Sequence, residues 1–273
     1  MNTSLVVLTD FFDLSNRALT YAAGLAMPLE AHLVLLHLRQ DEPLSPDEYR
    51  NRHTRKAEQQ TTHKLQQLAA KQPVPTEVAI SDDFLPDAVQ EMVKRHHPLL
   101  LVLGRPAPAS LPQEIVTSTA MDLQRHAPYP LLIVPEIGVD TMPPRRIVMA
   151  VDGEPFHLFE NQDVMRRLLL AFQGTLDVVH VTDDDHMRPD NATIRRTMQD
   201  TDLLPFLPEI KVHERYHPSI AKGILQEANQ QRADLLVVVA RRHSLLGGLF
   251  HSSITAQLIE ESPIPLLILP AKD

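Results

Sequence analysis

The sequence predicts an α/β protein made of two tandem doubly wound domains, each a five-stranded parallel sheet with helices on both faces. The first observation is a repeat: residues 130–135 read Pro-Leu-Leu-Ile-Val-Pro, and residues 265–270 read Pro-Leu-Leu-Ile-Leu-Pro. The second is that the apolar runs are short, continuous and rich in Val, Leu and Ile, as is typical of strands covered on both faces. A repeat of this length fits complete domains, so we expect domains at 1–137 and 145–273, each with its own core.

The first half alternates five strands with four helices. Helical spacing of Ala18, Ala22 and Leu25 predicts the first helix, and Ser15 is a suitable N-cap for it. Short connections between parallel strands require right-handed crossovers. The predicted elements are, in order, a strand at 6–10, a helix at 15–26, a strand at 31–38, a helix at 46–70, a strand at 76–80, a helix at 86–96, a strand at 99–104, a helix at 118–125 and a strand at 131–134.

The second half repeats this order after a linker at 136–144. Gly138 and the pair Pro143-Pro144 mark that linker, because glycine and proline interrupt regular structure. The predicted elements are a strand at 146–151, a helix at 163–172, a strand at 176–181, a helix at 191–203, a strand at 211–216, a helix at 219–230, a strand at 234–240, a helix at 255–261 and a strand at 264–269.

The composition excludes several classes of protein. No apolar run of the 273-residue chain approaches the ~20 residues that a membrane span needs. Residues 1–4 lead into a strand without a basic segment or cleavage site, so we expect a cytoplasmic protein. The net charge of −9 argues against nucleic-acid binding. The absence of cysteine excludes disulfides, thiolate metal sites and cysteine nucleophiles.

Candidate ligand contacts lie where the strands end. In an open α/β sheet, ligands bind at the carboxyl ends of the strands, near the point where the strand order reverses. His37 and His180 hold matching positions near two of these ends, and we expect them to be packing residues with satisfied hydrogen bonds. The residues at the ends of the first, second and fourth strands of the two halves are Asp10, Asp152, Leu38, Val181, Gly104 and Ala240.

Along nearly its whole length the chain resembles the universal stress protein family in tandem form. The resemblance rests on the first strands, which end in Asp10 and Asp152, and on the closing Pro-aliphatic-Pro strands. The aliphatic segments that carry His37 and His180 add to it. The resemblance implies a strand order of 3-2-1-4-5 in each domain and a regulatory role in the stress response.

The resemblance also implies how the two halves meet. In single-domain members of the family, two chains pair through the closing strand. We therefore expect Leu131–Val134 and Leu266–Leu269 to pack together within this chain as a pseudo-twofold dimer. Such pairing would cover two apolar sheet edges. Further assembly into a homo-oligomer stays open.

In one branch of the family, the resemblance implies ATP or another adenine nucleotide, held by a Gly-x2-Gly-x9-Gly-(Ser/Thr) loop. Glycines let the backbone approach phosphates, and the hydroxyl lies at a helix N-terminus, which favours anions. The first half keeps the spacing from Gly104 to Thr117 and Ser118 but loses two of the three glycines. The second half, from Ala240 to Ser252-Ser253, is one residue short. We therefore expect weak or absent nucleotide binding in each half.

Each candidate residue also has a structural interpretation. Asp10 and Asp152 either contact an adenine or ribose or cap a turn after the strand. The serines either donate to phosphate or act as ordinary N-caps, which is the default for Ser118, Ser252 and Ser253. The remaining candidates either bind phosphate as a cationic cluster or form a solvated loop, and they are Arg241, Arg242 and His243.

The sequence favours a binding protein over an enzyme. It contains no nucleophile elbow, zinc-protease motif, P-loop or dinucleotide fingerprint, so we expect no catalytic residues, and we assign no metal ligands. The leading hypothesis is a regulatory module that binds a nucleotide or a small anion weakly. We expect a whole nucleotide in the first half and a small phosphate or sulfate in the second. The alternative is a ligand-free interaction scaffold in which both clefts are non-functional.

Overall fold

The computed structural model describes residues 3–9, 13–39, 55–105, 113–136, 142–183, 191–199, 210–241 and 249–271. The candidates Asp10, Arg242 and His243 lie outside the described residues, as does much of the expected linker. The strands are β1 Ser4–Leu8, β2 His32–Leu38, β3 Thr76–Ser81, β4 Leu100–Arg105, β5 Leu131–Pro135, β6 Arg146–Val151, β7 Thr175–Thr182, β8 Lys211–Tyr216, β9 Leu235–Arg241 and β10 Leu266–Ala271.

All ten strands form one sheet in the order β3-β2-β1-β4-β5-β10-β9-β6-β7-β8. Within each half the neighbours are parallel, which gives the expected order 3-2-1-4-5 twice. The exception is the central pair, where β5 and β10 run antiparallel with Leu132 opposite Leu267. The expectation that the closing strands meet within one chain is therefore confirmed. Pairing these strands removes the two most apolar edges from solvent.

In the described part of the chain, eight α-helices cover the two faces of the sheet. One face carries α1, α2, α5 and α6, and the other carries α3, α4, α7 and α8. None of the helices in the described part of the chain has the length and apolar character needed to span a membrane. The bounds are α1 Asp13–Ala26, α2 Arg55–Ala70, α3 Leu85–His96, α4 Gln113–His126, α5 Gln162–Phe172, α6 Asn191–Gln199, α7 Ile220–Gln230 and α8 Leu249–Glu261.

The hydrophobic core differs from the expected pair of separate cores. Buried residues form one cluster on each face of the sheet, and each cluster continues across the β5–β10 seam. Leu132 and Leu267 join the halves on one face, and Leu131 and Ile268 join them on the other. Each of these side chains is at most 1% exposed, and burial of one such side chain contributes about 1.5–3 kcal/mol. The expectation of independent cores is wrong because the seam itself is apolar.

Two helices begin earlier than the sequence pattern predicts. Helix α4 starts at Gln113 rather than at Ser118, and helix α8 starts at Leu249 rather than at Thr255. Proline and glycine in the preceding segments obscure both starts, because these residues are typical of loops. The described part of the second helix begins at Arg55, and the segment predicted at 46–54 lies outside the described residues. The described bounds of the other elements lie within three residues of the predicted ones, and the part of α6 predicted at 200–203 lies outside the described residues.

Candidate functional site

A cleft opens at the carboxyl edge of the sheet in the second half. It has a volume of about 410 Å³ and lies between the ends of β6 and β7 and the helices α7 and α8. Apolar side chains form most of its walls, among them Val181, Ile220, Ile224, Val238 and Leu258. The position follows from the fold, because β6 lies between β7 and β9 at the point where the strand order reverses. An apolar concave site with a few polar groups is typical of small-molecule binding.

The rim of the cleft is formed where β6 ends. The backbone turns at Gly153, whose φ of 86° lies in a region that favours glycine. The Oδ1 atom of Asp152 accepts a hydrogen bond of 3.1 Å from the backbone N–H of Glu154. This contact is the turn-capping role that the sequence left open for Asp152. It does not depend on a ligand.

The second carboxylate oxygen of Asp152 pairs with Arg241. A guanidinium N–H of Arg241, at the end of β9, donates to Asp152 Oδ2, and the Arg241 side chain is only 16% exposed. The sequence pattern predicted both residues as separate ligand contacts, whereas the structure brings them together as an ion pair. An incoming phosphate must compete with Asp152 for the charge of Arg241. An ion pair of this kind contributes up to about 1 kcal/mol to stability, so a ligand can displace Asp152 from Arg241 at a cost of that size.

The matched histidines fix the ends of the first strands. His37 Nδ1 lies 3.0 Å from the carbonyl oxygen of Thr9, and His180 Nδ1 lies 3.1 Å from that of Val151. Since a carbonyl only accepts, Nδ1 carries the proton in both rings. Both histidines are buried, at 8% and 6% exposure. The interpretation of these residues as packing residues with satisfied hydrogen bonds is confirmed, although His180 also lines the cleft.

The hydroxyl residues of the expected phosphate loops do not lie at helix N-termini. Thr117 and Ser118 lie in the second turn of α4, and Ser252 and Ser253 lie three and four residues into α8. The N-cap interpretation of these serines is therefore wrong, because the free N–H groups of each helix lie nearer its first residue. Thr117 is 8% exposed, and its hydroxyl makes no hydrogen bond to any described residue.

The remaining candidates lie in strands. Leu38 pairs with Ser81 at the end of β2, and Gly104 is buried in β4. Ala240 is buried in β9, and Val181 forms part of the cleft wall. Of the predicted residues, the structure brings Asp152, Val181 and Arg241 to one place. This set is in the second half.

The arginine that follows Gly104 has a different role from Arg241. Arg105 is 8% exposed and reaches across the seam to the C-terminal end of α8. Its guanidinium donates to the carbonyl oxygens of Ile259 at 3.0 Å and Ser262 at 2.5 Å, and also to that of Glu260. Burial lowers the pKa of Arg105, and the nearby Glu260 carboxylate partly offsets this effect. Arg105 therefore satisfies helix carbonyls that lack partners within the helix.

The helical walls of the cleft were not predicted from the sequence. Ile220 and Ile224 come from α7, and Ile254 and Leu258 come from α8. One signal was present: Gly223 is a lone glycine inside a helix, which often marks close packing. A Cβ atom at Gly223 would lie 2.7 Å from Val181 Cγ1, so glycine lets α7 approach β7.

The fold and cleft together define a doubly wound α/β protein with a cleft at the carboxyl edge of a parallel sheet. The chain belongs to the universal stress protein family, whose model matches residues 1–135 and again residues 144–270. It is a tandem member, because the match occurs twice. No curated protein matches this chain.

Solved structures with the same fold cover nearly the whole chain. A universal stress protein from Archaeoglobus fulgidus is 17% identical, with a TM-score of 0.68 and 98% of each chain covered. A functionally unknown protein from Pseudomonas aeruginosa is 16% identical, with a TM-score of 0.54 and coverage of 98% of this chain and 92% of that one. The cytoplasmic domain of a prokaryotic cation chloride cotransporter is 11% identical, with a TM-score of 0.59 and coverage of 100% and 96%. At these identities the likeness shows the fold alone.

Proposed function

We propose that this chain is a non-catalytic regulatory protein of the cytoplasm whose second-half cleft binds an adenine nucleotide weakly. The observation that carries the proposal is the apolar cavity of about 410 Å³ at the carboxyl edge of β6 and β7. The proposed domains are 1–137 and 145–273, and only the second provides this cleft in the proposal. The earlier expectation placed a whole nucleotide in the first half.

The cleft suits a flat aromatic base flanked by polar groups. Ile220 and Ile224 of α7 form one side, and Val238 lies on the sheet beneath. Hydroxyl groups of Thr182 and Thr255 lie on the lining and can contact a sugar. The phosphates would then approach Arg241 at the rim, since a guanidinium binds phosphate in a bidentate manner.

Binding is expected to be weak for two reasons. Ala240 stands where the family loop has glycine, so its Cβ atom restricts close approach of phosphates to the backbone. Arg241 must also leave Asp152 before it can bind a phosphate. Compared with a full glycine loop, the loss of two charge-assisted hydrogen bonds to the phosphates, each contributing about 1.5–3 kcal/mol, would weaken nucleotide affinity by roughly a hundredfold or more.

A non-catalytic role agrees with the chemistry of the lining. The described lining residues include no serine or cysteine nucleophile, and the Nδ1 atom of His180 is bonded to the Val151 carbonyl. The hydrogen bond orients the ring and leaves Nε2 able to accept a proton, but the described lining offers no serine or cysteine for it to activate. The polar groups of the cleft are therefore assigned to binding.

The alternative function is a ligand-free interaction scaffold, and the Asp152–Arg241 pair favours it. The charges of Asp152 and Arg241 already neutralise each other. In that case the second cleft binds no ligand, and the outer surfaces act on partner proteins.

Calorimetry with ATP, ADP and AMP separates these alternatives. Ile254→Trp places a large side chain at the cleft, and Leu170→Trp places the same side chain on an exposed position of α5 as a control. We expect weak binding to the wild type and to Leu170→Trp, and none to Ile254→Trp. Absence of binding to the wild type at millimolar nucleotide would favour the scaffold. Equal binding to Ile254→Trp would place the ligand elsewhere.

A further inference from the structure

Two histidines and a glutamate converge at the opposite edge of the first half. His32 begins β2, Glu77 lies in the neighbouring β3, and His96 is the last residue of α3. Glu77 Oε1 lies 2.9 Å from His96 Nδ1 and 3.7 Å from His32 Nε2. One ligand atom from each of the three residues lies within 4.8 Å of the others. The cluster is separated from the cleft across the sheet, because the strands β1, β4, β5, β10 and β9 lie between β2 and β6.

The three groups match the preferences of a divalent transition ion. Imidazole nitrogen and carboxylate oxygen bind Zn²⁺ at about 2.0–2.2 Å, so ligand atoms around a tetrahedral ion lie roughly 3.3–3.5 Å apart. The distances from Glu77 Oε1 to the two histidine nitrogens, 2.9 Å and 3.7 Å, lie on either side of this value. The ligand atoms of the two histidines lie within 4.8 Å of each other, so shifts of up to about 1 Å would place His32, Glu77 and His96 around one ion. Two histidines and one carboxylate leave further coordination positions open.

Space for the open positions is present beside the cluster. A cavity of about 560 Å³ borders His32 and Glu77, and it is lined by the turn after α1 and the segment that leads into β3. Water can enter this cavity and complete the coordination of an ion. His96 is held at the end of α3 because its carbonyl oxygen accepts a 3.2 Å hydrogen bond from Ser4 Oγ. The following residue, His97, ends the helix in a left-handed conformation.

The second half provides an internal comparison. The strand register pairs Val34 with Glu77 in the first half and Asp177 with Lys211 in the second. Glu77 is therefore replaced by a lysine at the equivalent position. The residues that correspond to His32 and His96 are Thr175 and Gln231, because Ser4 pairs with His32 as Arg146 pairs with Thr175, and because His96 and Gln231 each precede a residue of positive φ, His97 and Arg232. The cluster is a property of the first half and not a consequence of the repeated fold.

We propose that His32, Glu77 and His96 form a binding site for one divalent transition-metal ion of the Zn²⁺ class. The ion would join β2, β3 and α3 at the outer edge of the first half. It would therefore stabilise this end of the sheet, because an ion that binds only the folded chain raises its stability. The site is independent of the proposed nucleotide cleft.

The test uses the untagged full chain, freed of metal with a chelator. Zn²⁺ binding is measured by calorimetry, and the geometry is followed by the visible absorption of Co²⁺. The variants are Glu77→Gln and His32→Ala. The control is His126→Ala, which removes an exposed histidine that pairs with Asp122 one helical turn away.

We expect one Zn²⁺ per chain and a rise of about 5 °C in the unfolding temperature at a hundredfold excess over Kd. Glu77→Gln and His32→Ala should each weaken binding roughly tenfold or more, and His126→Ala should not change it. Co²⁺ should give an absorption band in the wild type that is lost in both site variants. The proposal fails if wild-type chain binds no stoichiometric Zn²⁺, or if either site variant binds as the wild type does. It also fails if the control removes binding.

Discussion

Arg105 and Arg241 each end the fourth strand of their half, in β4 and β9, and they do different things. The strand register sets them one position apart, because Arg105 lies opposite Pro135 whereas Ala240 lies opposite Pro270. Arg105 crosses the seam and binds the C-terminal carbonyl groups of α8. Arg241 stays within its own half and pairs with Asp152 at the rim of the cleft. One arginine joins the halves, and the other pairs with the end of a neighbouring strand.

The difference follows from the offset of one residue, because successive side chains of a strand point to opposite faces of the sheet. Arg105 lies on the face that carries α8, where Glu260 and Glu261 add to the negative end of the helix dipole. The equivalent position in β9 is Ala240, and Arg241 lies on the other face. A shift of one residue along the strand therefore gives the arginine of each half a different role.

The largest expected effect is on the free energy of unfolding, and it distinguishes the two arginines. Arg105→Ala leaves several carbonyl oxygens of α8 without their donor at a buried position. We expect the free energy of unfolding in urea to fall by about 3 kcal/mol. Arg241→Ala, the matched variant, should change it by less than about 1 kcal/mol. Equal losses for the two variants would mean that the arginines have the same structural role.

The next effect concerns the wall of the second cleft. Gly223→Ala introduces a Cβ atom 2.7 Å from Val181 and 2.8 Å from His217. Helix α7 must move away from the sheet, at a cost of about 1–3 kcal/mol in unfolding free energy, and nucleotide binding should weaken. Lys222→Ala, at the exposed neighbouring position, is the control. A variant that keeps both stability and binding would show that α7 does not define the cleft.

A smaller, pH-dependent effect distinguishes the amino-terminal edges of the halves. Burial alone would raise the pKa of Asp234, but the hydrogen bonds from Arg146 and from the backbone of Arg145 outweigh it and hold the pKa below its usual range. The corresponding first-half contact, from Ser4 to the carbonyl of His96, does not titrate. At this contact the second half uses a carboxylate, and the first half uses a hydroxyl instead.

Asp234→Asn should lower the unfolding free energy by about 1–2 kcal/mol at neutral pH. Because the folded pKa is depressed, this contribution is present above the unfolded pKa of about 3.9 and is lost as the pH falls through the folded value. The difference between wild type and Asp234→Asn should therefore vanish in acid, as followed by urea unfolding at several pH values. The cost of Ser4→Ala should stay constant over the same range. A difference for Asp234→Asn that persists in acid would contradict the assignment.

The sequence predicted the fold well because each element depends on local pattern. The closing strands are apolar on both faces, and their pairing across the seam followed from the family resemblance. The starts of α4 and α8 were missed because the residues before them are typical of loops. The choice of Asp152 as the partner of Arg241 depends on how β6 and β9 lie side by side.

The candidate sites were predictable only in part, for the same reason. Strand ends could be located from the sequence, and Asp152, Val181 and Arg241 were found in this way. The helical wall that contains Ile224 could not be located from the sequence, because the distance between α7 and β7 depends on packing. The cluster of His32, Glu77 and His96 has no recognisable spacing in the chain. It exists because two strands begin and one helix ends at the same edge.

The central claim is that the Asp152–Arg241 pair weakens the binding of nucleotide in the second-half cleft. The most direct measurement is the calorimetric affinity of Asp152→Asn for ADP, with the wild type and Arg241→Ala measured alongside. Asp152→Asn releases Arg241 and removes a negative charge near the phosphates, so affinity should rise about fivefold. Arg241→Ala should bind more weakly than the wild type. Unchanged or weaker binding by Asp152→Asn would contradict the account.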